Sequence, residues 1–84
     1  MPTISRFYGI DVYMHQIAKE HNPPHIHVVY GDYKASIDIM TFQIIEGSLK
    51  NNARRLAVEF IKKYQKELME MWNTGKIRKL EPID

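Results

Sequence analysis

The segment His25-Ile26-His27-Val28-Val29-Tyr30-Gly31-Asp32-Tyr33-Lys34-Ala35-Ser36-Ile37-Asp38 reads as two strands joined by a two-residue turn. Gly31 supplies the positive φ that such turns need, so Tyr30 faces Tyr33 and the other pairs follow. Val29 then meets Lys34, Val28 meets Ala35, His27 meets Ser36, Ile26 meets Ile37, and His25 meets Asp38. Because side chains alternate across a strand, this one turn sorts the hairpin into two faces. Ile26, Val28, Tyr30, Tyr33, Ala35 and Ile37 form an apolar side, while His25, His27, Lys34, Ser36 and Asp38 share a polar one. A slip of one residue would bury the histidines and expose Ile37.

On the N-terminal side, Pro23-Pro24 stiffens the approach to the first strand, and Asn22 before Pro23 is pushed into extended geometry. Residues 15–24 read as a loop. Runs of β-branched and aromatic residues predict further strands at 4–8 and 10–14, broken by Gly9, and at 42–46. On the C-terminal side, residues 51–73 contain neither Gly nor Pro. There Ala53, Leu56, Ala57, Phe60, Ile61, Tyr64, Leu68, Met71 and Trp72 recur at steps of three and four, which draws one apolar helical stripe. Ser48, Asn51 or Asn52 is placed to cap its start, and Gly75 sits where a left-handed residue ends a helix. About 23 residues at 1.5 Å each give roughly 34 Å, longer than a small sheet is wide. The far end, with Met69, Met71 and Trp72, is therefore expected to overhang and meet a partner. The predicted architecture is α+β: one domain over residues 1–84, with an antiparallel sheet of four to five short strands in about 3–47. One long helix, about 51–73, packs on a single face.

Composition removes several classes of function. The chain has 84 residues and no cysteine, which excludes disulfides, thiolate metal sites and a cysteine nucleophile. Its longest apolar run is three residues, so nothing in it spans a bilayer as a helix. The start, Met-Pro-Thr-Ile-Ser-Arg, has no apolar signal core, and a cytoplasmic location is expected. A net charge of +2 permits contact with nucleic acid without requiring it. Lys50, Arg54 and Arg55 put cations at the helix start, and Lys76, Arg78 and Lys79 make a basic tail.

The chemistry concentrates around His21-Asn22-Pro23-Pro24-His25-Ile26-His27, where His25 and His27 project from one face roughly 7 Å apart. Three readings compete. In the first, His25 and His27 ligate a divalent metal such as zinc, with His21 or Asp38 as a third ligand. In the second, no metal or other cofactor is needed. The two imidazoles act as acid and base in RNA cleavage, where the substrate's own 2′-hydroxyl is the nucleophile. Lys34 stabilises the developing charge, Asp38 orients His25, and Arg6 adds a cation if its strand places it there. In the third, the histidines only bond to neighbours such as Ser36 and Asp38. Glu46 either adds a carboxylate to the group or merely ends a strand. Tyr8, Tyr13, Tyr30 and Tyr33 offer rings for base stacking or for packing.

Four ordered motifs extend over nearly the whole chain: Met1-Pro2-Thr3-Ile4-Ser5-Arg6-Phe7-Tyr8-Gly9, the box from His21 to Val28, Tyr30-Gly31, and Ile44-Ile45-Glu46-Gly47-Ser48-Leu49. Together they resemble a small bacterial family, domain of unknown function family 4160. The chain departs from it at Lys50, where the family more often carries Pro. The residues that match by position are Arg6, His21, Asn22, Pro23, Pro24, His25, His27, Glu46 and Gly47. The resemblance implies one half of a two-gene cassette, suspected to be a toxin–antitoxin pair, with this chain as the toxin and a small neighbouring protein as its silencer. The competing functional expectation is a non-catalytic module that binds protein through the helix or a sheet edge. The sequence leaves open whether the protein is an enzyme and whether it self-associates.

Overall fold

The computed structural model describes residues 3–14 and 23–83. Five strands form one antiparallel sheet in sequence order: β1 (Thr3–Phe7), β2 (Ile10–Tyr13), β3 (His25–Tyr30), β4 (Tyr33–Asp38) and β5 (Ile44–Gly47). A single helix, α1 (Asn51–Thr74), follows. The β3–β4 register is the one the Gly31 turn dictates, from Tyr30 opposite Tyr33 to His25 opposite Asp38. Gly31 has φ +60°, as the first central residue of such a turn requires. The β1–β2 turn works differently. Tyr8 and Gly9 both adopt positive φ, +48° and +76°, which matches the twist of the two flanking strands.

One face of the sheet carries Ile10, Val12, Ile26, Val28, Ala35 and Ile37, all buried. All but Ala35 form a single cluster with Ala53, Ala57, Phe60, Ile61, Leu68 and Met71 of the helix. Phe60 is its largest fully buried side chain, with its ring centroid 5.2 Å from Phe7. Burying side chains of this size contributes roughly 1.5–3 kcal/mol each, which is why the two-residue period of the strands and the stripe of the helix suffice to bring them together.

The helix does not overhang. Straight, its 24 residues would span about 36 Å at 1.5 Å each, yet the described residues extend only 30 Å along their longest axis. The chain bends at Tyr64, whose φ and ψ of −116° and 21° are not helical. Beyond the bend Leu68 and Met71 are buried in the core, and Gln65 Nε2 donates 2.9 Å to the Ile39 carbonyl. The far end is thus folded back onto the sheet rather than free to meet a partner. The start also differs from expectation. Lys50 is the N-cap and no side chain caps the first turn, so Ser48, Asn51 and Asn52 do not serve there. Gly75 ends the helix as predicted, left-handed at φ +74°, with its N–H donating to the Met71 carbonyl.

The tail then returns along β1. Leu80 is buried and its N–H donates 2.8 Å to the Ile4 carbonyl. At the other side of the sheet, β5 starts two residues later than the predicted 42–46, because Phe42 is left-handed (φ +65°) and cannot extend a strand. No helix among the described residues is long and apolar enough to cross a membrane.

Candidate functional site on the polar sheet face

The strand registers draw rows across the face turned away from the helix core. Arg6, Asp11, Val29 and Lys34 lie side by side in one row; Tyr13, His27, Ser36 and Glu46 form the next; His25 and Asp38 form the last. An open cleft of about 410 Å³ lies over the first two rows, lined by Tyr13, His27, Val29, Lys34, Ser36 and Glu46. Of the five residues proposed for catalysis, His27 and Lys34 line it, whereas His25, Asp38 and Arg6 do not.

His27 is half-buried, and its Nδ1 lies 3.3 Å from the Ser36 hydroxyl. Lys34 and Glu46 are exposed at the cleft. Glu46 stands beside Ser36 only because β5 is irregular. From Ile37 opposite Ile44, a regular ladder would put Glu46 opposite Ala35, on the helix side. The register shifts by one residue between Ser36 and Ile37, so Glu46 pairs with Ser36 and Gly47 with Ala35. An extra residue of this kind re-aims the side chains that follow it. Gly47 makes the shift feasible: at φ +81° it lies so close to β4 that a Cβ would drive into the Lys34 carbonyl oxygen. The Ser48 N–H donates to the same oxygen at 3.0 Å.

His25 has a different environment. It is 7% exposed, and its Nδ1 lies 2.8 Å from the Pro23 carbonyl. A carbonyl only accepts, so Nδ1 carries the proton and, in the neutral ring, Nε2 carries the lone pair. The ring meets His27 edge-on, 5.0 Å between centroids at 74°, and tilts against Trp72 at 5.1 Å. Asp38 faces His25 across the hairpin as predicted, but it does not orient the imidazole. Its Oδ1 accepts the N–H groups of Met40 at 2.7 Å and Thr41 at 3.0 Å, which holds the turn into β5. The partner that orients His25 is the Pro23 carbonyl.

Arg6 does lie on the polar face, and Asp11 occupies it: Nε donates to Asp11 Oδ1 at 2.6 Å. That hydrogen bond and the carboxylate charge raise the Arg6 pKa above its ordinary value. Tyr13 donates its hydroxyl to the other Asp11 oxygen at 3.4 Å. The expected second cation of the cleft is therefore neutralised beside it. For metal binding, His21 lies outside the described residues, as does His15. Among the described residues no group of three or more His, Asp and Glu is placed to hold an ion.

Nothing local to the chain places Tyr13 beside His27 or decides which face Glu46 takes. Both depend on registers that no two-residue turn sets. The signal for Glu46 was Gly47, whose need for positive φ marks an irregular edge strand.

Fold and site define an α+β domain with one bent helix and an open cleft on the opposite sheet face. The family model described as domain of unknown function (DUF4160) matches residues 9–73, and the chain belongs to that family. No curated protein matches the chain, and no solved structure does.

Proposed function

We propose that this protein is the toxin of a bacterial toxin–antitoxin pair and that it cleaves RNA in the cleft over the Tyr13–His27–Ser36–Glu46 row. The observation that carries this reading is the convergence of an imidazole, a carboxylate and an ammonium group, His27, Glu46 and Lys34, on one open cleft. These are the groups that a metal-free phosphodiester cleavage uses. The ionised Glu46 carboxylate accepts the proton of the substrate's 2′-hydroxyl as O2′ attacks phosphorus. His27, protonated, returns a proton to the departing 5′ oxygen, leaving a 2′,3′-cyclic phosphate and a free 5′-hydroxyl. Lys34 faces the negative charge that builds on the phosphoryl oxygens. No serine or cysteine nucleophile is required, which suits a chain without cysteine. A small protein encoded beside it binds and silences the toxin.

The test combines induction in a bacterial host with product analysis. Wild-type protein should arrest growth unless the neighbouring gene is co-expressed, and purified protein should leave 2′,3′-cyclic phosphate ends on RNA. His27→Ala should lower cleavage by on the order of 10²–10⁴-fold while circular dichroism and the urea midpoint stay near wild type. Harmless induction together with intact RNA would overturn the reading.

A further inference from the structure

We infer that Trp72 is a positioning residue for His27, acting through His25, so that the bent end of the helix sets the geometry of the cleft on the other side of the sheet. The inference rests on the RNA reading for its kinetic consequence, but its structural content stands on contacts alone.

Three rings lie in series. Trp72, the only tryptophan of the chain, tilts against His25 at 5.1 Å, and His25 meets His27 at 5.0 Å. His25 is the restrained middle member. Its Nδ1–H is bound to the Pro23 carbonyl and its surface is nearly all covered. An imidazole on a strand has two free torsions. The Pro23 bond constrains one direction of His25, and the indole stops the ring from turning out of the other. His27 has the Ser36 hydroxyl beside Nδ1 and the edge-on ring of His25 against its side. Turning His25 therefore changes the wall against which His27 rests.

Trp72 is held in place by the same features that pack the end of the helix into the core. The bend at Tyr64 brings the last turns of the helix back over the sheet. Gln65 is tied to the Ile39 carbonyl, and Leu68 and Met71, just before Trp72 in the helix, are buried in the core. Trp72 itself remains half-buried, so it adds less to the core than its size allows.

The experiment uses the full chain and four variants: Trp72→Ala, Trp72→Leu, Trp72→Phe and, as a core control in the same half-helix, Leu68→Ala. Long-range proton–nitrogen spectra report the tautomer and ring shifts of His25 and His27, and kcat and KM are read on a fluorogenic RNA oligonucleotide. Trp72→Ala and Trp72→Leu should shift and broaden the His27 ring resonances and lower kcat by about ten- to a hundredfold with KM nearly unchanged, the scale of a misplaced catalytic group. Trp72→Phe should restore both. Leu68→Ala should lower the melting temperature yet leave the His27 resonances in place. If Trp72→Ala does not fold, Trp72→Leu decides, since it keeps apolar bulk without a flat face. Unchanged His27 resonances in the Trp72 variants would overturn the inference, as would an equal shift in Leu68→Ala. A wild-type chain that leaves RNA intact removes the proposed activity, and the spectra then decide the positioning role by themselves.

Discussion

The two faces of the sheet are built by different physics. On the helix side, Ile26, Val28, Ile37 and their neighbours are held by apolar burial, and other apolar side chains of similar volume are tolerated there. On the polar side four groups have specific hydrogen-bond partners: Pro23 for His25, Ser36 for His27, Asp11 for Arg6, and the turn amides for Asp38. Hydrophobic burial is non-directional and tolerates small displacements, whereas a hydrogen bond weakens steeply with distance and angle. The first face therefore supplies stability and the second supplies geometry. The single irregularity in β5 joins them, since it takes Glu46 off the helix side and places it in the His27 row.

The sharpest way to break this contrast is to attack each face separately. Phe60→Ala should cost roughly 3–5 kcal/mol in urea denaturation, because it removes the largest fully buried side chain of the apolar cluster. The folded fraction should keep the His25 and His27 ring resonances, since the Phe60 ring packs against Phe7 and Tyr64. Gly47→Ala should cost somewhat less, about 2–4 kcal/mol, through the clash with the Lys34 carbonyl and the positive φ. Unlike Phe60→Ala, it should also release Glu46, seen as loss of cleavage in protein that is still folded at low temperature. A Gly47→Ala variant with wild-type register and activity would show that the irregular edge does not place Glu46. The smallest effect is expected for Arg6→Gln. The pair with Asp11 is exposed and screened, so the urea midpoint should not move detectably, least of all in 1 M salt. Because the Arg6 pKa is raised, the stability the pair adds is fully present below the ordinary arginine value and is lost only as pH climbs above it. Between pH 5 and 9 the arginine should therefore add no slope to the stability.

Much of this was legible in the residues. The Gly31 turn, the absence of Gly and Pro from 51 to 73, and Gly75 are local signals, each acting within a few positions. They led to the β3–β4 register, the helix and its end as observed. The site was legible only in part. His27 and Lys34 could be assigned to one face by counting from the turn. The burial of His25 could not, because it comes from Trp72, 47 positions further along. Asp38 was misread for a related reason: its position opposite His25 says nothing of the two free amides just beyond it, which it binds instead.

Sequence alone determined which residues could share a face, because side-chain alternation and turn stereochemistry are properties of neighbouring peptide units. Tertiary structure alone decided where the helix bends, which side Glu46 takes, and which histidine is covered. Those outcomes depend on groups far apart in the chain competing for the same space, and no local rule contains that competition.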